Sequence, residues 1–211
     1  MENKLKNKMN FTENLAGIFT ERLNLYIHKE GIDLLKLKLG IEIILINLTK
    51  FTIIFSIAAY TGLIKESILM STVFASLRKS AFGIHAKNSV ICTIVSVNMF
   101  VTGAYMSRYI PINNIMVVTI FTFIITLLYK YAPADTESHP LLSKRLRDRL
   151  RKKAAITGLL LMIITLIIPS YRIKAMITIA SCYEVINILP ITYKILKRRY
   201  RNYEKFERAN N

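Results

Sequence analysis

His85 and Cys92 are the two residues of this sequence whose types and spacing could do chemistry together. A thiolate is a strong nucleophile once a base has taken the thiol proton, and an imidazole is the usual base near neutral pH. On a straight helix this spacing puts both side chains on one face about 10 Å apart, too far for a hydrogen bond. Gly83 and the polar stretch 87–89 favour a loop or kink, which would fold the imidazole back onto the sulfur.

A Cys/His pair of this kind cleaves peptides or transfers acyl groups through a thioester, because the imidazole returns its proton to the leaving amine. The alternative is an ordinary cysteine of an apolar helix beside an interfacial histidine, since both are common in such segments. Spacing alone leaves both interpretations open.

Carboxylates inside apolar stretches form a second group of candidates, since a charge at membrane depth needs a partner or a function. Glu42 and Lys50 lie eight positions apart, about 80° around a helix, so both could face the interior of a helix bundle. The two residues could form a structural ion pair, and it is equally compatible with the sequence that Glu42 orients the histidine. Glu184 raises the same question, whereas Cys182 has no histidine nearby in sequence and is interpreted as a packing residue.

An acidic motif, Ala132-Pro-Ala-Asp-Thr-Glu137, follows one of the apolar stretches. Its proline ends a helix, so the simplest interpretation is a cap and stop signal. Asp135 is, with Glu42, a candidate for orienting His85. The sequence contains no HExxH, CxxC or carboxylate cluster, so we expect no metal site and no cofactor.

Composition indicates that these residues belong to a membrane protein. Of the 211 residues 53% are hydrophobic, and the mean hydropathy of +0.36 is too high for an ordinary soluble domain. The formal net charge of +17 would suggest nucleic acid in a soluble protein. Because the Lys and Arg residues lie mostly outside the apolar runs, we interpret the charge as membrane topology and contact with anionic lipid, without nucleic acid.

The apolar stretches predict an all-α, polytopic integral membrane protein with four to six membrane segments that either cross the bilayer or re-enter it. The first thirty residues lack an uninterrupted apolar core, so no cleavable signal peptide is expected. Residues 12–28 have helical apolar spacing and predict an amphipathic helix, either interfacial or packed on protein. We expect one domain with a basic arm (1–38), a membrane region (39–196) and a basic tail (197–211). The predicted apolar segments are 39–63, 67–77, 90–107, 112–131, 154–169 and 173–196.

Positive charge predicts the orientation, because Lys and Arg concentrate in cytoplasmic loops next to membrane segments. The N-terminal arm, the connection at 144–153 and the tail are all strongly basic, so all three are expected on the cytoplasmic side. The turns near Pro111 and Pro169 carry few charges and face outward. Both termini and the His85/Cys92 region are then cytoplasmic.

The motif Arg78-x4-Gly83-x-His85-x6-Cys92, followed by Ala-Pro-Ala-Asp135-x-Glu, resembles the accessory gene regulator B family. Members of this family are membrane endopeptidases of bacterial quorum sensing, and the likeness covers most of the chain. It implies that Cys92 is the nucleophile and His85 its base, with Arg78 and Gly83 at motif positions needed for activity. It also implies a homodimer in the bacterial cell membrane.

The resemblance implies a substrate as well: a small propeptide whose acidic C-terminal tail is cut off. The remainder is held as a thioester until an internal Cys or Ser of the peptide closes a thiolactone or lactone, so water near Cys92 must be limited. The basic run could attract the acidic tail, although anionic lipid headgroups are an equally good partner. The residues concerned are Lys144, Arg145, Arg147, Arg149 and Arg151.

Two other classes of function remain at this point. The polar residues at membrane depth, Glu42, Lys50 and Glu184, are compatible with a transporter or exporter of a small peptide or solute. The basic loops are compatible with a non-enzymatic scaffold that binds lipid or a kinase. Cleavage of a propeptide that depends on Cys92 and His85 separates the endopeptidase from both.

Overall fold

A computed structural model of the chain describes residues 11–84, 89–136 and 141–204. Within these ranges the chain is helical and contains no strand, and an isolated parallel bridge links Phe82 to Ala134. The all-α prediction is confirmed. The helices are α1 (Phe11–Ile27), α2 (Gly31–Tyr60), α3 (Ile64–Ala81), α4 (Ser89–Val97), α5 (Gly103–Met106), α6 (Asn114–Tyr131), α7 (Lys144–Ile167), α8 (Tyr171–Ile188) and α9 (Pro190–Ile195). A π-helical turn over Asn98–Thr102 joins α4 to α5.

The chain divides into two compact units, Met1–Ile53 and Ile54–Asn211. The first contains α1 and most of α2, and α1 covers the stretch predicted to form an amphipathic helix. Within α1 the side chains of Ala16 and Thr20 are buried, and the Thr20 hydroxyl donates a hydrogen bond to the Ala16 carbonyl at 2.6 Å. The interfacial position of α1 stays a prediction.

Among the described residues two helices, α2 and α6, are long and apolar enough to cross a membrane by length and composition. This agrees with a membrane protein. Several predicted boundaries differ from the structure, and α2 already begins at Gly31, within the predicted basic arm. The basic connection is helical, because α7 begins at Lys144, where the Ser143 hydroxyl accepts a hydrogen bond from the Leu146 amide. The predicted segment 173–196 is broken at Leu189, and Pro190 starts α9, since proline fits the first turn of a helix and not its interior.

Helices α3 and α8 pack along each other in the second unit and are joined by an ion pair near each end. Arg78 pairs with Glu184, with Nη1 and Oε2 3.5 Å apart, and Glu66 pairs with Arg172. The two pairs are separated by twelve residues on each helix, so the helices run in the same direction and stay aligned over about 18 Å. The predicted short stretch 67–77 is therefore part of an 18-residue helix.

The helix that contains α4 and α5 packs on α3 through Phe100. The Ser67 hydroxyl donates to the Phe100 carbonyl at 3.0 Å, and the rings of Phe74 and Phe100 meet edge to face with centroids 5.4 Å apart. Gly103 allows this close approach, because a Cβ there would lie 3.0 Å from the Met70 side chain and from the Tyr183 ring. Helix α3 thus contacts both α8 and the helix that contains Cys92.

Candidate active site

Cys92 is a free, half-buried cysteine in the first turn of α4, which begins at Ser89. The N-terminus of a helix stabilises negative charge, so a thiolate at this position would lie at the favourable end of the helix dipole. His85 lies outside the described residues. The distance between the imidazole and the thiol therefore stays a prediction.

The segment that follows α3 pairs with the acidic motif. The Gly83 amide donates to the Ala134 carbonyl at 2.9 Å, and the Ala134 amide donates to the Ala81 carbonyl at 2.9 Å. These two bonds form the parallel bridge between Phe82 and Ala134. The structure therefore brings together the two motifs that carry the family resemblance, although about fifty residues separate them in the chain.

Arg78 holds the backbone that leads to His85. Its Nη2 donates to the carbonyl oxygens of Gly83 at 3.1 Å and Ile84 at 2.6 Å, while Nη1 faces Glu184. The guanidinium carbon also lies 5.7 Å from the centroid of the Phe74 ring. The resemblance implies only that Arg78 is needed for activity, and its hydrogen bonds assign it a structural role at the predicted site. One planar guanidinium satisfies two carbonyls and a carboxylate, which the ammonium of lysine matches poorly.

Gly83 has a φ of +116°, a backbone conformation that residues with a Cβ rarely adopt. A Cβ at this position would lie 2.5 Å from Arg78 Nη1 and 3.2 Å from the Asn187 carbonyl oxygen. Glycine is thus required here both by the backbone angle and by the close approach of the guanidinium.

The carboxylate of Asp135 binds the C-terminal tail. Its side chain is 2% exposed, and its two oxygens accept hydrogen bonds of 2.9 Å from the amides of Asn202 and Tyr203. The Tyr193 hydroxyl donates to the Asp135 carbonyl oxygen at 3.0 Å. Burial raises the pKa of the Tyr200 phenol, whose ring packs edge-on against Tyr193. Asp135 therefore connects the acidic motif to the tail, and its predicted role in orienting His85 stays a prediction.

The basic run divides into two sets of side chains. Arg147 is buried: Nη1 donates to the carbonyls of Leu141 and Leu142 at 2.7 and 2.9 Å, and its guanidinium lies 3.9 Å from the centroid of the Tyr203 ring. Arg151 Nε donates to the Ala132 carbonyl at 3.2 Å. The exposed residues of the predicted substrate-binding set are Lys144, Arg145 and Arg149.

Glu42 lies in α2, within the unit Met1–Ile53, and its role in orienting His85 stays a prediction. Among the described residues no ion pair joins Glu42 to Lys50, whose ammonium lies 5.6 Å from the centroid of the Phe51 ring. In the same part of the chain no group of three or more His, Cys, Asp or Glu side chains is arranged to hold a metal ion.

Sequence reasoning missed the partners of two site residues. Glu184 was noticed as a carboxylate at membrane depth, but its partner Arg78 is 106 positions away. The tail contacts of Asp135 span 67 and 68 positions. The only signal for Glu184 was a charge inside an apolar segment, which indicates that a partner exists without naming it.

Replacing Gly83 by alanine should lower the free energy of unfolding by about 1–3 kcal/mol, because a Cβ there is strained and displaces the Arg78 guanidinium. Thermal unfolding in detergent micelles measures this. Gly40→Ala is the matched control: Gly40 lies within α2 with nothing near its Cβ position, so alanine should leave stability unchanged or raise it slightly. Equal unfolding temperatures for Gly83→Ala and wild type would contradict the strain.

Replacing Asp135 by asparagine should release the tail, because the two amide donors lose a charged acceptor. The loss of these charge-assisted hydrogen bonds should raise the equilibrium constant for local opening of the tail about tenfold or more. Trypsin cleavage within 197–201, followed by mass spectrometry, measures that opening. Asp148→Asn is the control, since Asp148 pairs only with the nearby Arg151 in the described part of the chain. Identical cleavage rates for the two variants would rule out the tail contact.

Comparison with known proteins identifies the family of this chain. The family model described as Accessory gene regulator B matches residues 12–188. An AgrB-like protein of Clostridium acetobutylicum is 53% identical over 97% of this chain and 98% of its own length. An AgrB-like protein of Listeria innocua is 42% identical over 95% of this chain and 97% of its own.

A more distant relative, the accessory gene regulator protein B of Staphylococcus aureus, is 29% identical over 88% of this chain and 98% of its own length. No solved structure matches the chain. The family match covers most of the chain and includes every motif residue from Arg78 to Asp135. The chain belongs to the accessory gene regulator B family.

Proposed function

We propose that this protein is a membrane cysteine endopeptidase that cleaves a small quorum-sensing propeptide and promotes cyclisation of its product. Membership of the accessory gene regulator B family supports a role in processing a quorum-sensing autoinducer. One observation carries the finer proposal: Arg78 binds the carbonyls of Gly83 and Ile84, directly before His85. The described part of the motif is thus a hydrogen-bonded backbone structure that ends one residue before the proposed base, and Cys92 lies in the first turn of the next described helix.

In the proposed mechanism His85 takes the proton of the Cys92 thiol, and the sulfur attacks the carbonyl carbon of the scissile peptide bond. The C–N bond breaks, the proton moves from the imidazole to the leaving amine, and the acidic tail departs. The remaining peptide is bound to Cys92 as a thioester. An internal thiol or hydroxyl of that peptide then attacks the thioester, its proton passes through His85 to the departing Cys92 sulfur, and the peptide closes as a thiolactone or lactone. No oxidant or cofactor is required.

We propose that the chain crosses the membrane six times with both termini in the cytoplasm. The alignment of α3 with α8 supports this, because both run in the same direction and are paired near both ends. A helix of 18 residues is about 27 Å long, close to the thickness of the hydrocarbon core. If α8 crosses toward the cytoplasm, α3 crosses likewise, and alternation then gives one crossing each to α2, α3, α4 with α5, α6, α7 and α8.

The exposed basic side chains at the start of α7 are the proposed attachment site for the acidic propeptide tail. Lys144, Arg145 and Arg149 are exposed, whereas Arg147 and Arg151 bind backbone carbonyls. The Arg151–Ala132 hydrogen bond connects this helix to the acidic motif, which itself pairs with the segment after α3. Helix α7 is therefore connected, through the acidic motif, to the backbone that precedes the proposed base.

Replacing Cys92 by serine should abolish cleavage of a co-expressed propeptide, and His85→Ala should lower its rate by about 10²- to 10⁴-fold through loss of the base. Mass spectrometry of the peptide products in membranes measures both. Cys182→Ser is the matched control, because Cys182 is also a half-buried free cysteine but lies in α8. Cleavage by a Cys92→Ser protein that inserts normally would exclude the endopeptidase.

Reversing the charge of Arg145 and Arg149 together should raise the KM for the propeptide about 2- to 30-fold, the range expected for two exposed ion pairs. The effect should shrink as salt is added, because salt screens exposed charges. The assay uses zwitterionic micelles, so that anionic lipid does not contribute. Reversing the exposed Lys194 and Lys197 makes the same change in net charge elsewhere and should leave KM unaltered. An equal effect of the two double variants would reject a tail site on α7.

A further inference from the structure

Glu184 is a fully buried carboxylate with only half of its hydrogen-bonding capacity used. Its side chain is 0% exposed, and Oε2 lies 3.5 Å from Arg78 Nη1. Oε1 has no hydrogen-bond partner among the described residues. Burying a carboxylate costs several kcal/mol unless it is paired, so such a residue needs a specific reason to lie here.

The hydrogen bonds of the second Arg78 amino group explain why Glu184 lies here. Nη2 donates to the Gly83 and Ile84 carbonyls, so the guanidinium determines where the backbone runs before His85. Glu184 is the only carboxylate within ion-pair distance of Arg78 in the described ranges. Without it the guanidinium would keep two neutral acceptors and lose its counter-charge.

Helix α8 reaches the same segment a second time. The Ile84 amide donates to the carbonyl oxygen of Asn187 at 3.3 Å. Glu184 and Asn187 are three residues apart and therefore lie on one face of α8. Both backbone polar groups of Ile84 are thus held, the carbonyl by Arg78 and the amide by the end of α8.

We propose that Glu184 is a positioning residue of the peptidase site, acting through Arg78 on the backbone at Gly83 and Ile84 and so on the placement of His85. This rests on the proposed function. The role is to fix geometry, since Glu184 does not itself contact the proposed nucleophile. A displacement of the base by about 1 Å is enough to lower a rate about 100-fold, so a remote carboxylate can have a large kinetic effect.

The test compares Glu184→Gln with wild type in a Cys182→Ser background, so that Cys92 is the only thiol of the protein. We expect kcat for propeptide cleavage to fall about 10- to 100-fold while KM changes less than threefold. The pH dependence of Cys92 alkylation by iodoacetamide should shift as well, because it reports how the imidazole is placed against the thiol. Glu184→Asp keeps the charge on a shorter side chain and should restore part of kcat.

Glu66→Gln is the matched control, because Glu66 also joins α3 to α8 by an ion pair but at the opposite end of α3. It should leave kcat and the alkylation profile unchanged even if it lowers the unfolding temperature. A double variant, Arg78→Lys with Glu184→Gln, should lose no more activity than the more impaired single variant, since both act through one contact.

Wild-type kcat and an unaltered alkylation profile in Glu184→Gln would overturn the proposal, as would equal losses in Glu184→Gln and Glu66→Gln. If Glu184→Gln is degraded before insertion, Glu184→Asp and Arg78→Lys carry the test, and wild-type kcat in both would overturn it. These outcomes differ from failure of the proposed function, in which Cys92→Ser itself would still cleave the propeptide.

Discussion

The arrangement of the second unit depends on the guanidinium of Arg78. An arginine near the end of an apolar helix cannot be left without acceptors, because an unpaired charge in a low-dielectric environment is far more costly than one paired and hydrogen-bonded. Its acceptors come from two places: the Glu184 carboxylate on α8 and the Gly83 and Ile84 carbonyls. Satisfying this one cation therefore joins two helices and fixes the backbone beside them.

The pairing of α3 with α8 shows how charge can be arranged inside an apolar bundle. Glu66 and Arg78 lie near opposite ends of α3, and each is matched by the opposite charge at the corresponding turn of α8. Sliding one helix by a turn, about 5.4 Å, would separate both pairs. The two contacts thus specify the alignment of the helices, which apolar packing alone determines only loosely.

The approximate positions of most apolar helices followed from the sequence, whereas several of their ends and the contacts between motifs did not. The apolar run before Tyr131 and the proline after it predict α6 closely, because both signals are local. The start of α7 at Lys144 was missed, since a dense run of cations suggests a loop until the Ser143 cap is considered. The Arg78–Glu184 pair and the Asp135 tail contact join distant positions, and only the folded backbone brings such positions together.

Helix α3 also determines where Cys92 can lie relative to the segment that Arg78 holds. The helix that begins with α4 is attached to α3 by the Ser67 hydrogen bond to the Phe100 carbonyl and by the Phe74–Phe100 ring contact. Phe74 in turn lies against the Arg78 guanidinium. Side chains of α3 thus contact both the helix that contains the proposed nucleophile and the backbone before the proposed base. Both contacts support the proposal that Cys92 acts together with His85, whose spacing is too wide for a hydrogen bond on one straight helix.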